Sequence, residues 1–153
     1  MEKNLKMKKI ILAASLLIAL GSTAFAKDKN ANIDLLKDLS STYKKSTEIC
    51  WIDKPQYKEA MFKFQNQTAC AFYTHDNNEL IGFGILYEKT DLPEVVTNAV
   101  KNSYADWDFV DAMLFVDTDG NVNYFMQVKN NNSVRALKIT PGGSVSLYAK
   151  VAS

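Results

Sequence analysis

From residue 48 to residue 151 the chain is a succession of short apolar-rich runs divided by tight clusters of turn-forming residues, and this rhythm limits the fold more than any other feature. The runs cover residues 48–52, 59–64, 68–74 and 79–87, then 109–116, 122–128, 134–140 and 144–151. Between them stand His75-Asp76-Asn77-Asn78, Asp117-Thr118-Asp119-Gly120-Asn121, Asn130-Asn131-Asn132 and Pro141-Gly142-Gly143. These residue types accept turn geometry. Strands so closely linked have no length for a crossover, so they must pair as antiparallel hairpins.

Two segments break the strand rhythm with helical spacing. In residues 32–43, Leu35, Leu39 and Tyr43 recur along one face, with Asn32 placed to cap. Asp91-Leu92-Pro93-Glu94 reads as a capping-box start, and Leu92, Val95, Val96, Ala99, Val100 and Tyr104 continue it as an apolar stripe. Such a stripe requires an apolar surface to lie on, here the sheet. The expected fold is α+β: an antiparallel sheet with two helices on one face.

The order helix, four strands, helix, four strands suggests a tandem repeat over residues 32–87 and 91–151. Shifted by 61 residues, Leu35, Leu39 and Tyr43 fall on Val96, Val100 and Tyr104. Shifted by 65, Met61 meets Met126, Ala71 meets Ala136, and Phe83 meets Tyr148. One helix on four strands buries little core, and two such units can share one.

The N-terminus predicts export. Lys3, Lys6, Lys8 and Lys9 precede an apolar run at 10–20, and Ala24-Phe25-Ala26 is a small-x-small cleavage site. The run is shorter than the ~20 residues of a spanning helix. Residues 1–26 are therefore expected to be a cleaved signal peptide, with 27–153 the working domain in the periplasm or outside the cell. Removing the leader's four lysines and Glu2 leaves 14 basic and 16 acidic residues, and no basic stripe for nucleic acid. No second membrane span appears.

The second half, with its approaches, resembles the beta-lactamase-inhibitor-like, PepSY-like family of exported bacterial proteins. The likeness rests on Leu92-Pro93, Val96, Ala99-Val100 and Tyr104, then Asp117-x-Asp119-Gly120, Tyr124-Phe125 and Val128, then Val134-x-Ala136-Leu137-Lys138-Ile139. Phe72-Tyr73 and Leu80-Ile81-Gly82 fit it as well. It spans residues 57–151. The resemblance implies helices packed on antiparallel sheet, in the tandem layout of the beta-lactamase inhibitor protein, and an extracytoplasmic setting. PepSY domains are associated with restraining peptidases. No inhibitory residue can be carried over to a position in this chain.

The residues themselves offer no catalytic set. The lone histidine, His75, stands in a turn beside Asp76, a poor place for a base that a third group must orient. Asp106, Asp108 and Asp111 read as a solvated edge. Asp117-Thr118-Asp119-Gly120 begins like a calcium loop, but the twelfth position is Val128 where a bidentate acid is needed, so a hairpin turn is the better reading. Asn66-Gln67-Thr68 and Asn131-Asn132-Ser133 fit the glycosylation pattern at hairpin tips. No cofactor is expected, and the protein reads as a non-enzyme.

Two features remain open at this level. Cys50 and Cys70 are a candidate disulfide, which export favours. In a simple meander, however, a strand separates them and holds them ~9–10 Å apart, beyond the ~7 Å a bridge allows. The aromatic residues Trp51, Tyr73, Phe83, Trp107, Tyr124 and Tyr148 lie on strands or their approaches. On an open sheet face they would form a recognition surface, and Trp51, Tyr73, Phe83, Tyr124 and Tyr148 are the candidate partner-binding set. Core packing uses the same residue types. The expected function is binding an unknown protein or peptide of the cell envelope, with inhibitor-like restraint of a peptidase or other hydrolase as the form the resemblance implies. The alternative is a small-ligand carrier with an apolar cavity between sheet and helix.

Overall fold

The computed structural model describes residues 29–151. The leader and its cleavage site lie outside them. Helix α1 (Lys29–Lys45) is followed by β1 (Cys50–Asp53), β2 (Tyr57–Phe64), β3 (Gln67–Thr74) and β4 (Leu80–Tyr87). A short 3-10 turn (Lys89–Asp91) leads to α2 (Glu94–Tyr104), then β5 (Asp108–Asp117), β6 (Val122–Lys129), β7 (Val134–Ile139) and β8 (Val145–Val151). All eight strands form one sheet in sequence order, each antiparallel to the next.

Both helices lie on the same face. Strand alternation turns Ala60, Phe62, Phe83, Ile85, Leu114 and Val116 toward α1, where they pack with Leu35, Leu36, Leu39 and Tyr43. The same parity turns Ala112, Met126, Val128, Leu137 and Ile139 toward Val96 and Val100 of α2. Tyr87 and Tyr124 stack at 6.2 Å where these two clusters meet, so the helix face is one continuous core.

The helices depart from the sequence reading at their ends. Asn32 lies inside α1 rather than capping it, because α1 begins at Lys29. Its last turn carries Lys44 and Lys45, favourable at the negative end of the helix dipole. The Ser46 hydroxyl donates to the Thr42 carbonyl at 2.8 Å. The capping box at Asp91 does not form. Leu92 is extended (φ −68°, ψ 140°), as the residue before a proline prefers, and Pro93 occupies the N-cap with no side-chain bond. Asp91 instead ends the 3-10 turn, and Val95 is exposed rather than part of the buried stripe.

The turn after β5 is built by Asp117. One carboxylate oxygen accepts from the Asp119 and Asn121 backbone N–H groups at 2.9 Å, and the other accepts from the Asn121 side-chain amide at 2.9 Å. Gly120 sits at φ +84°, and a β-carbon there would lie 2.6 Å from Ile33 Cδ1. The acid of the calcium-like motif thus serves the turn, and glycine lets that turn approach α1 closely.

Candidate functional site

The sheet face that neither described helix covers, the helix-free face, has its own chemistry. On β2, Tyr57, Glu59 and Met61 project away from the helices. Cys70 and Phe72 on β3, Met113 and Phe115 on β5, and Phe125 on β6 project the same way, and Tyr148 of β8 packs on the cluster. No residue of α1 or α2 belongs to this cluster. Its rings form a ladder across the sheet: Tyr57–Phe72 at 6.1 Å, Phe72–Phe115 at 6.0 Å, Phe115–Phe125 at 6.5 Å and Phe125–Tyr148 at 5.3 Å.

Glycines on β4 make the ladder continuous. Phe72 and Phe115 stand two strands apart, a backbone separation of ~9–10 Å. They meet because Gly82 and Gly84 present no side chain between them. A β-carbon at Gly82 would lie 2.7 Å from Phe115 Cζ, and one at Gly84 would lie 3.0 Å from Phe72 Cε2 and 2.4 Å from Met113 Sδ. The rings cover one another, while Ile52, Ile81, Leu86 and Tyr148 form a half-buried rim.

This face also holds every buried polar side chain of the described residues: Glu59, Asp111, Asn123 and Gln127. The register places all four opposite to the helix-facing residues of their strands. Asp111 is only 8% exposed, which corrects the expectation of a solvated acid edge for it; it sits beside the irregularity at the start of β5. Asp108 is exposed as expected. Among the described residues, neither carboxylate oxygen of Glu59 has a hydrogen-bond partner, nor do Asn123 Oδ1, Gln127 Nε2 or the Tyr148 hydroxyl.

Burial raises the Glu59 carboxyl from its ordinary 4.5 to about 7, an effect that Lys54 partly offsets. Burial also lifts the Cys70 thiol well above its usual range, with Glu59 adding to the shift, and moves the Tyr148 hydroxyl up to about 12. Because the folded state holds the Glu59 proton more tightly than the unfolded chain, the contribution of Glu59 to stability is greatest at low pH. It falls as pH rises from 4.5 through about 7. Ionising Glu59 in place is expected to cost about 3 kcal/mol, and Glu59→Gln to abolish that part of the pH dependence. Urea melts of both proteins at pH 5 and pH 8 measure the difference; equal pH slopes would show that Glu59 is solvated.

A groove of about 700 Å³ opens at one end of the sheet. Cys50, Met61, Lys63, Thr68 and Leu86 line it, together with Glu48, Glu88, Asp91, Phe109 and Asp111. None of its lining comes from α1 or α2. Phe62, Tyr87 and Ala112, which belong to the helix-side clusters, line it as well, so it opens at the sheet's end beside that core, where Leu39 and Val96 are fully buried.

The structure does not bring the five candidate binding aromatics together. Tyr148 ends the ring ladder. Phe83, 1% exposed, lies in the core under Tyr43 at 6.1 Å and presents nothing to a partner. Tyr73 is half-buried on the helix side, between Tyr43 at 6.4 Å and Trp51 at 5.8 Å, and Trp51 itself is 56% exposed. Tyr124 lies between the two helix-side clusters. Trp107 carries the Arg135 guanidinium 4.7 Å above its ring. The residues missed were Tyr57, Phe72, Phe115 and Phe125. Gly82 and Gly84, spaced by two on one strand, were the available sign of the face on which rings lean across.

Cys50 is exposed and Cys70 buried, and both are free thiols. They share a face, but Met61 stands between them, paired to each from the intervening strand. His75 Nε2 lies 3.1 Å from Asp53 Oδ1 at the surface, rather than engaging Asp76. No group of three acidic, histidine or cysteine residues suited to a metal occurs among the described residues, and no described helix is long and apolar enough to cross a membrane.

No family model and no curated protein matches the sequence. Solved structures do match the fold. A BLIP-like protein from Bacteroides fragilis superposes with a TM-score of 0.61 at 20% identity, covering 86% of this chain and 92% of its own. A DUF2874 family protein from Bacteroides uniformis gives 0.59 at 14% identity, over 75% and 84%. A protein from Bacteroides eggerthii, provisionally described as periplasmic, gives 0.58 at 20% identity, over 79% and 86%. The chain has the BLIP-like fold. At these identities the likeness establishes fold alone.

Proposed function

We propose that this protein is an exported, non-enzymatic binding module of the cell envelope, with residues 27–153 as its working domain of two half-repeats, 32–87 and 91–151. It engages a protein or peptide through the helix-free face. The observation that carries this reading is the placement of the buried polar groups. Glu59, Asn123 and Gln127 keep polar atoms without partners among the described residues, all on the face that neither described helix covers, whereas Arg135 Nε, on the helix side, belongs to a guanidinium that lies over the Trp107 ring. A face serving only as core gains nothing from such groups, since each is costly to bury unpaired. A partner that parts the half-buried rim and brings donors and acceptors removes the cost. The BLIP-like fold and the resemblance to PepSY domains support a hydrolase, held in check, as the kind of partner.

The test is capture from an envelope extract with the 27–153 chain as bait, run beside Leu86→Asp on the half-buried rim and Leu147→Asp on the helix side. A partner lost with Leu86→Asp and kept with Leu147→Asp is the expected result, and its hydrolytic activity is then assayed with and without the module. Equal capture by all three proteins would exclude the helix-free face. The groove supports a second reading, a small-ligand site, since its volume is in the range of such pockets.

A further inference from the structure

We infer that β1 is a pH-released edge strand: it closes the sheet in acid and detaches as pH rises, uncovering Glu59 and the edge of β2. The device stands independently of the docking reading above, although Ile52, which moves with β1, belongs to the half-buried rim.

Glu59 is 0% exposed, with Ile52 opposite it on β1 and Phe72 opposite it on β3. Ile52 and Glu59 share the helix-free face, so the isoleucine closes the carboxyl off from the open side of the sheet. Neither carboxylate oxygen has a hydrogen-bond partner among the described residues. Such a group is costly to bury when neutral and far more so when ionised. The smallest movement that relieves it admits water from the less anchored side, which is β1. This strand has four residues, of which only Ile52 is not exposed, and among the described residues it pairs on one side only. On the other side of Glu59, β3 is held between β2 and β4, and Phe72 is fixed in the ring ladder. A short edge with few buried contacts is where local opening begins.

Two further contacts reach over β2 to tie β1 to the end of β3. Trp51 lies 5.8 Å from Tyr73, with the small Ala60 opposite it on β2. His75 Nε2 lies 3.1 Å from Asp53 Oδ1, a pair that is ionic only while the imidazole is protonated. Histidine as a residue type changes charge within the physiological range. Rising pH therefore acts on β1 twice with one sign: Glu59 gains a charge beside Ile52, and His75 loses the charge that holds Asp53. Glu59 has the larger effect, since exposed ion pairs contribute little. Burial places its transition at about 7. The other titratable groups around it are Tyr57 on its own strand, Lys54 in the turn from β1, Cys50 on β1 and Cys70 on β3. Burial raises Tyr57 and Cys70, so both stay neutral here, and Lys54 offsets the Glu59 shift only in part. Around His75 stand Lys58, whose ammonium donates to Asn78 Oδ1 at 2.8 Å, and Asp76 and Glu79 of the following turn.

The test is amide hydrogen exchange of the 27–153 chain, followed by NMR at pH 5.5 and pH 8 and expressed as protection relative to unstructured chain at the same pH. Alternate residues of β2 bond β1 and β3, which gives an internal control. The β1 amides, and the β2 amides bonded to β1, are expected to lose about tenfold or more of their protection at pH 8, the scale set by a carboxyl moved from 4.5 to about 7. Low urea should leave their exchange unchanged, because little surface opens. The β2 amides bonded to β3 should be the better protected at both pH values, and their exchange should quicken with urea. Glu59→Gln should keep most of the β1 protection at pH 8, and Glu59→Met, which removes the polar atoms at similar length, should do the same. Asp53→Asn should lower the β1 protection at pH 5.5 by a smaller factor. One protection level and one urea dependence for both sets of β2 amides would mean that β1 leaves only when the whole domain unfolds. That result, equal β1 protection at the two pH values, or a loss that persists in both Glu59 variants overturns the inference. The docking reading falls separately, if envelope capture is indifferent to Leu86→Asp.

Discussion

Phe83→Ala is expected to destabilise the protein by about 3–5 kcal/mol, the cost of emptying a large aromatic site in a core that relaxes only in part. Phe83 is 1% exposed, and its ring packs on Tyr43 at 6.1 Å and on Phe62 at 6.2 Å. It therefore joins α1 to the sheet. Against a total stability of about 5–15 kcal/mol, the loss is enough to populate unfolded chain. Trp51→Ala, at a site 56% exposed, should change stability by less than about 1 kcal/mol. Equilibrium urea unfolding of the two variants at one pH separates these roles. If Phe83→Ala melts with the wild type, Phe83 is not the link between helix and sheet. Loss of partner binding in Phe83→Ala would accompany loss of fold, so Phe83 is a poor probe of recognition.

Gly82→Ala is expected to cost about 2–3 kcal/mol, at the upper end for a small overpacking change. Its β-carbon would stand 2.4 Å from the Val116 carbonyl oxygen and 3.0 Å from the Asp117 α-carbon. Both are backbone atoms of the paired strand, so β4 and β5 must move apart locally. Gly84→Ala meets first the Met113 sulfur, at 2.4 Å, on a flexible side chain that can turn away. It should cost less by about 1 kcal/mol or more, since a rotamer change replaces a backbone shift. The Gly82 change also displaces Phe115, whose Cζ lies 2.7 Å from the new atom, and so should weaken the near-ultraviolet signal of the ring ladder. Equal losses at the two positions would mean that the strand separation is not rigid.

The hairpins were legible because local rules suffice for them. Turn clusters at Asp117–Asn121 and Asn130–Asn132 left no room for anything but hairpins, whereas the pairing of β4 with β5, across α2, which joins the two halves in one sheet, follows from no turn. The stripe at Val96, Val100 and Tyr104 marked a helix on the sheet. The start of that helix was misread because Pro93 acts on Leu92's backbone more strongly than Asp91 acts as a cap. The buried state of Asp111 was hidden too: an aspartate at the start of a strand looks solvated until its neighbours are known. The ring ladder was missed for a related reason. Phe72 and Tyr73 are adjacent and equally aromatic, and only the strand's phase separates them, Phe72 to the helix-free face and Tyr73 toward Tyr43.

The sequence by itself determined the element order, the antiparallel pairing within each hairpin, and the helical period of Leu35, Leu39 and Tyr43 and of Val96, Val100 and Tyr104. Each follows from spacing within a few residues: turn formers, alternation and helical period act locally. Only the tertiary structure decided which sheet face the helices cover, and hence that Phe83 is core, that Phe72 and Phe115 meet over two glycines, and that Glu59 is buried without a partner among the described residues. Those facts depend on residues up to two strands apart in one sheet. A β-strand offers its two faces by simple alternation, and only packing against distant segments gives one of them to the core.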